Sequence, residues 1–133
     1  MHFVAEERPS YGQEASHYRK LRVWQEAVDL AEETYRLTSA FPKSETYGLT
    51  AQMRRSAVSV ASNIAEGSGR QSPRDFGRFI AIAVGSLREL ETQAILADRL
   101  RLSEVTAEYF DDCIRLARML TRFHQHLERL SAA

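Results

Sequence analysis

The chain has 133 residues, and its 18 Lys and Arg balance its 18 Asp and Glu, so the formal net charge at pH 7 is zero. This length is that of one domain, which buries enough surface to fold without a metal or a disulfide. Zero net charge argues against a strongly basic nucleic-acid-binding domain, and a single cysteine excludes an internal disulfide. No apolar run approaches the ~18 residues that a membrane span requires. Since the N-terminus is not typical of a secretory signal, we expect a cytoplasmic protein without a cofactor or a membrane partner.

The beginning of the chain differs in composition from the rest. Residues 1–17 contain Pro9, Gly12 and several charges, but no sustained apolar period. This pattern predicts a flexible N-terminal arm over residues 1–17. The remaining residues, 18–133, are predicted to form a single helical domain.

Apolar side chains at alternating steps of three and four residues predict a first helix from about residues 18–21 to Ala40. Phe41-Pro42 ends it, because the residue before a proline is disfavoured in the helical region. A second apolar stripe beside the first indicates contacts with more than one neighbour. The two stripes are Leu21, Trp24, Val28, Ala31, Tyr35 and Thr38, and Val23, Ala27, Leu30 and Leu37.

A second helix is predicted from about residue 44 or 47 to Glu66, with its apolar residues on one side. Arg54 is an exception, because it projects from the apolar half. Gly67 and Gly69 are predicted to end the helix through positive φ angles, which cost other residues energy. The apolar side contains Leu49, Met53, Ala57, Val60 and Ile64, and the opposite side contains Gln52, Arg55, Ser59, Ser62, Asn63 and Glu66.

A third helix is predicted to start at Pro73, with Ser72 as its N-cap, and to continue to about Arg101. Gly77 and Gly85 lie inside this helix. Each glycine costs ~1 kcal/mol relative to alanine in a helix. We therefore expect close helix packing to offset this cost.

A fourth helix follows, with Ser103 as its predicted N-cap. Its apolar residues keep a heptad spacing. They are Tyr109, Cys113, Leu116, Leu120, Phe123, Leu127 and Leu130. Four such helices with short connections predict an all-α fold, an antiparallel up-down-up-down four-helix bundle. Surplus apolar surface on the first and third helices predicts that the bundle is the protomer of a homo-oligomeric ring.

Several motifs between Leu21 and Gln93 carry a family resemblance. They are Leu21-Arg22-Val23-Trp24-Gln25, Phe41-Pro42, Tyr47-Gly48-Leu49-Thr50, Gln52, Arg54-Arg55-Ser56-Ala57-Val58-Ser59, Ser62-Asn63-Ile64-Ala65-Glu66-Gly67, Gly85-Ser86 and Glu89-Leu90-Glu91-Thr92-Gln93. Over about residues 20–128 the chain resembles the four-helix-bundle proteins encoded in intervening sequences of bacterial 23S rRNA genes. The accessory variability proteins of diversity-generating retroelements look like relatives. One departure is Val60-Ala61, where the family often has Ile-Pro.

The resemblance implies a four-helix protomer that assembles as a homopentameric ring. It also implies a nucleic-acid-binding role, mainly through the retroelement relatives, whose barrel is basic. No enzymatic activity is implied. The zero net charge of this chain departs from those basic relatives and weakens the inference about nucleic acid.

Arg54 and Glu91 form the first candidate constellation, because each lies at the edge of an apolar helix face. Burial of either charge alone would be costly, so each is expected to have a partner. The structural interpretation is an ion pair between helices or between subunits. The functional interpretation is a carboxylate that binds a ligand or acts in catalysis, although one carboxylate and one arginine do not make an acid/base couple.

Arginines are the candidate contacts to a phosphate backbone. The candidates are Arg55, Arg70, Arg74, Arg78, Arg115, Arg118, Arg122 and Arg129. The alternative is that they form a solvated face. The loop from Glu66 to Arg74 has two glycines and could cradle a phosphate, or it could be a plain turn between helices with caps. It lacks the pattern of a nucleotide-binding P-loop.

Other reactive side chains do not form a catalytic or metal-binding pattern. His124 and His126 lie two residues apart on a helix and point in different directions, which makes them poor joint metal ligands. Cys113 lies on the apolar stripe and is interpreted as a buried hydrophobic residue. We therefore predict no enzyme, no catalytic residue and no metal site. Two functions stay open: binding of structured RNA or DNA by an oligomer, and a protein-binding or structural scaffold.

Overall fold

The computed structural model describes residues 17–132, and within them the chain forms four long α-helices and no strand. The helices are α1 (Arg22–Ser39), α2 (Leu49–Ser68), α3 (Pro73–Arg99) and α4 (Ala107–Ala132). Short 3-10 helices cover His17–Lys20 and Lys43–Glu45. The prediction of an all-helical chain with four helices is confirmed. The predicted N-terminal arm lies outside the described residues, except for its last residue.

The helix starts follow local hydrogen bonding. At α3, Ser72 accepts a hydrogen bond from the backbone N–H of Asp75 at 3.1 Å, and Pro73 begins the helix as predicted. At α4 the predicted cap was wrong. The N-cap is Thr106, whose Oγ1 accepts from the N–H of Tyr109 at 3.1 Å, and not Ser103.

One hydrophobic core joins all four helices. Its largest completely buried side chains come from every helix, so no helix is merely appended to the others. They include Leu30 of α1, Met53 and Ile64 of α2, Ile80, Leu87 and Leu90 of α3, and Leu116 and Leu120 of α4. The positions on α1, α2 and α4 are among those that the sequence periodicity assigned to the apolar faces.

The prediction that Gly67 and Gly69 end α2 through positive φ angles was wrong. Gly69 has a φ of −83°, and Gly67 lies inside the helix without a positive φ. A Cβ atom added at Gly67 would lie 2.7 Å from Cβ of Phe79 and 2.8 Å from Cδ1 of Phe76. Gly67 is therefore needed for the close approach of α3 to α2.

The beginning of α3 also packs against the second half of α4. The rings of Phe76 and Phe123 meet edge to face, with their centroids 5.2 Å apart. An added Cβ at Gly77 would lie 3.9 Å from His124 and Leu127, which is ordinary van der Waals contact. These contacts bring the arginine-containing segments of α3 and α4 to the same part of the domain.

A buried hydrogen bond links α1 to α4. Thr34 Oγ1 donates to the carbonyl of Leu30 at 2.7 Å, so the hydroxyl of Tyr109 donates to Thr34 Oγ1, also at 2.7 Å. Burial raises the pKa of Tyr109, because the phenolate would be poorly solvated there. The bond gives a partner to two buried hydroxyl groups, those of Thr34 and Tyr109.

We expect Tyr109→Phe to lower the free energy of unfolding by ~1 kcal/mol, since one buried hydrogen bond is lost while Thr34 keeps its bond to Leu30. Urea titration followed by circular dichroism measures this change. Tyr47→Phe is the matched control, because Tyr47 is 96% exposed. Equal stabilities of the two variants would contradict the structural role of this bond.

Candidate functional site

Six of the eight candidate arginines lie in the segments that the contacts between Phe76 and Phe123 bring together. We call this region the basic end, defined by Arg70, Arg74, Arg78, Arg118, Arg122 and Arg129. All six side chains are exposed. They start from two different helices and the loop before α3. Arg74 and Arg78 line a pocket with the last turns of α4, whereas Arg118 and Arg122 line a separate groove beside Glu91 of α3.

Four of these six arginines have no charged or hydrogen-bonded partner in the part of the chain that the structure describes. Among the described residues, Arg74, Arg118, Arg122 and Arg129 make no ion pair or hydrogen bond. The other two are paired at the surface. Arg70 bonds to Glu66 at 2.9 Å and lies over the ring of Phe79, and Arg78 lies 3.5 Å from Asp75. Exposed pairs of this kind contribute about 0–1 kcal/mol and exchange readily for another anion.

The two remaining candidates lie elsewhere. Arg115 bonds to Glu26 of α1 at 2.7 Å and to Asp112 at 3.1 Å, and the hydrogen bond to Glu26 raises the pKa of Arg115. Its charge is therefore neutralised within the chain. Arg55 lines a cleft between α2 and α3 together with Glu89. The sequence grouped these two with the others because it could not show which helices are neighbours.

The zero net charge of the chain conceals an uneven distribution. Residues 60–82 and 117–132, which contain the basic end, have six Arg and three Asp or Glu. Residues 83–116 have four Arg and seven Asp or Glu. These segments are therefore locally positive although the whole chain is neutral, with Glu91 as a negative charge beside Arg118 and Arg122.

Arg54 and Glu91 are not paired with each other within the described chain, which corrects the expectation of an ion pair between two helices of one copy. Arg54 turns towards α1, where its Nε donates to Thr38 Oγ1 at 2.8 Å and its guanidinium lies 4.4 Å from the ring centroid of Tyr35. Glu91 lines a groove against α4 with Arg118 and Arg122. A side-chain hydroxyl and an aromatic face thus satisfy Arg54 without a carboxylate.

A second polar region, the polar cleft, lies between α2 and α3 and has a volume of about 180 Å³. It is lined by Gln52, Arg55, Ser56, Ser59, Ser86, Glu89 and Gln93. Ser59 and Ser86 are 2.9 Å apart across the two helices, and Gln93 Oε1 is buried without a partner among the described residues. Sequence reasoning identified the polar face of α2 but missed its partners on α3. The motif from Glu89 to Gln93 was the available signal.

The loop before α3 uses its polar groups internally. Ser72 caps α3, Ser68 donates to the carbonyl of Ala65 at 2.8 Å, and Arg70 folds back onto Glu66. These bonds favour the interpretation of a capped turn over that of a phosphate cradle.

The reactive side chains between residues 17 and 132 form no group of three or more His, Cys, Asp and Glu that could hold a metal ion. His124 Nδ1 lies 3.3 Å from Glu128. Cys113 is 1% exposed, and burial raises its pKa from 9.0 to about 12. Over the same residues, no helix has both the length and the apolar character needed to cross a bilayer.

We expect the stability of the fold to decrease as the pH rises from 9 towards 12, because the unfolded thiol of Cys113 ionises first while the folded thiol keeps its proton. Below the pKa of the thiol in the unfolded chain, the contribution of Cys113 to stability is fully present. Each pH unit in this window costs ~1.4 kcal/mol. Urea unfolding one unit below and one unit above the unfolded pKa measures the change. Cys113→Ala should show a smaller difference between the two conditions, and an identical difference would refute this contribution.

The fold and the candidate surface define a class of protein: a four-helix domain with a clustered arginine surface and a polar cleft. The sequence matches the model of the 23S rRNA-intervening sequence protein family over residues 19–122. The chain therefore belongs to this family, as the motifs predicted.

A solved structure has a similar fold. It is a protein of unknown function from the S23 ribosomal protein family of Bacteroides thetaiotaomicron VPI-5482, with a TM-score of 0.58 and 23% sequence identity. The match covers 79% of this chain and 94% of that chain. At this identity the likeness concerns the fold alone. No curated protein matches the sequence.

Proposed function

We propose that the protein is a non-enzymatic, self-associating four-helix bundle that binds structured RNA or DNA through the basic end. The observation that carries this proposal is the set of six exposed arginines on α3, α4 and the preceding loop, four of which have no ion pair or hydrogen bond among residues 17–132. Guanidinium groups donate two parallel hydrogen bonds to phosphate. Free guanidinium groups can do so without first breaking a bond in the protein.

The proposed bundle is antiparallel and follows the up-down-up-down order. Ser59 meets Ser86, and further along α2, Gly67 meets Phe79 and Phe76. As residue numbers rise on α2, those of its partners on α3 fall, which supports opposite helix directions. The same trend between α1 and α4 joins Glu26 to Arg115 and Thr34 to Tyr109. In such a bundle the start of α3 and the end of α4 share one end of the rods, while Arg118 and Arg122 lie nearer the middle, beside Glu91.

Self-association would multiply this surface. Exposed aliphatic side chains on α3 and α4, such as Ile82, Leu96 and Ile114, support contact with further copies. We propose a closed ring, and the resemblance to the family suggests five copies. We also propose that the chain is related to the accessory variability proteins of diversity-generating retroelements. A ring would present several basic ends to one nucleic acid, which raises the overall affinity through effective concentration.

A second candidate function is a scaffold that binds proteins and no nucleic acid. The polar cleft favours it, because hydroxyl and amide groups with one buried unpaired acceptor suit a protein contact. In this case the arginines of the basic end would only be solvated. The two functions differ in whether the basic end contributes to binding.

The test is fluorescence anisotropy with a labelled RNA hairpin and a labelled DNA duplex over a salt series. We expect Arg74→Gln, Arg118→Gln and Arg122→Gln combined to weaken binding and to reduce the slope of log K against log salt by roughly 2–3, since each lost phosphate contact removes ~0.7–0.9. Both effects follow from the release of fewer counterions.

The matched control combines Arg36→Gln, Arg88→Gln and Arg99→Gln, which removes the same charge from exposed positions outside the basic end. It should leave the salt slope nearly unchanged. Absence of binding by the wild-type protein at low salt would favour the scaffold function. Equal losses in both triple variants would reject the basic end as the binding surface.

A further inference from the structure

We propose that the exposed face of α3 around Gly85 docks on the exposed face of α2 of a second copy, with Glu89 of one copy paired to Arg55 of the next. This inference rests on the self-association in the proposed function and specifies the contact surface. It does not depend on nucleic-acid binding.

Gly85 is the first observation. It lies in the interior of α3 and is exposed, and a Cβ atom added there would have nothing within 4 Å. A glycine inside a helix is unfavourable relative to alanine, yet no contact within the described chain requires it, unlike Gly67. The prediction that close packing offsets Gly85 therefore fails inside one copy. A helix of another copy could approach the bare backbone at this point.

Apolar side chains surround Gly85 on the same face of α3. Ile82 lies one turn before it and is 52% exposed, and Leu96 lies three turns after it and is 46% exposed. Aliphatic side chains of this size on a shared exposed stripe leave apolar surface in water that a partner would cover. A small side chain at their centre and larger ones on both sides produce a shallow groove that suits a helix.

The charges at this surface have opposite signs on the two helices. Glu89 lies one turn after Gly85 on α3, and Arg55 lies on the exposed side of α2. Both line the polar cleft, but neither makes an ion pair or a hydrogen bond with any residue in the described part of the chain. Beside Gly85 the α3 face therefore has an anion, and the α2 face has a cation, each without a partner in the described part of the chain.

The α2 face fits the approaching α3 helix. Next to Arg55 it presents Val58, which is exposed, and Ser62, a small residue one turn later. The two faces adjoin the same polar cleft. A contact that joins the α3 face of one copy to the α2 face of the next is head-to-tail, and such contacts generate closed rings when the rotation closes. A nucleic acid is a poor occupant for the α3 face, because Glu89 and the aliphatic side chains repel or do not bind phosphate.

The test measures solution mass by sedimentation equilibrium without nucleic acid, with helix content checked by circular dichroism. Arg55→Glu and Glu89→Arg each place like charges opposite one another, and each should raise the dissociation constant of the assembly by about tenfold or more. The double variant should recover assembly. In an equimolar mixture the two single variants should associate with each other, because each unlike contact pairs opposite charges, although a ring of five would keep one like-charged contact.

The mixture separates a contact between copies from an ion pair within one chain, because an internal pair would be recovered only in the double variant. Gly85→Leu should dissociate the assembly while leaving the helix content intact, since the position is open in the single copy. The control is Arg22→Glu, an exposed position on α1 outside both faces, which should not change the mass.

The outcomes distinguish this inference from the proposed function. A wild-type protein that sediments as a single copy would overturn self-association itself, and with it this surface. A wild-type assembly that persists in Gly85→Leu and in both charge variants would leave self-association standing and overturn the assignment of the α2 and α3 faces. Recovery in the double variant without any association between the two single variants in the mixture would also overturn it.

Discussion

The close approach of α2 and α3 is the constraint on which the rest of the structure depends. Gly67 has no room for a side chain beneath Phe76 and Phe79, so the side chains of α3 pack directly on the backbone of α2 at this point. Further along, Ser59 and Ser86 touch at 2.9 Å. This approach creates the polar cleft and also sets the direction in which α3 leaves the turn. Larger residues at these positions would separate the helices and open the core that all four share.

The same packing sorts the arginines into groups with different surroundings. Those at the start of α3 and on α4 from Arg118 onwards are exposed, whereas Arg115 is held by α1 and Arg54 lies on Tyr35. A neutral chain can therefore have one locally positive surface without excess charge overall. This separation is the physical reason why net charge is a poor guide to the charge of any one surface of this protein.

Much of the fold followed from local patterns in the sequence. The Ser72-Pro73 start of α3 was predictable, because a cap and a preset φ act within a few residues. The start of α4 was not, since Ser103 and Thr106 are both acceptable caps and only the connection decides between them. The candidate site was predicted less well: the arginines were identified, but the contribution of Glu89 and Gln93 to a cleft with α2 was missed.

By itself the sequence determined the number of helices, their apolar faces and the family to which the chain belongs, because helical periodicity and motifs are local properties of consecutive residues. Only the tertiary structure decided the partners. It placed Arg54 against Thr38 and away from Glu91, and it left Gly85 without a neighbour. Partners of this kind depend on the rotation and spacing of whole helices. Those are set by the packing of many side chains at once, so no single stretch of sequence contains them.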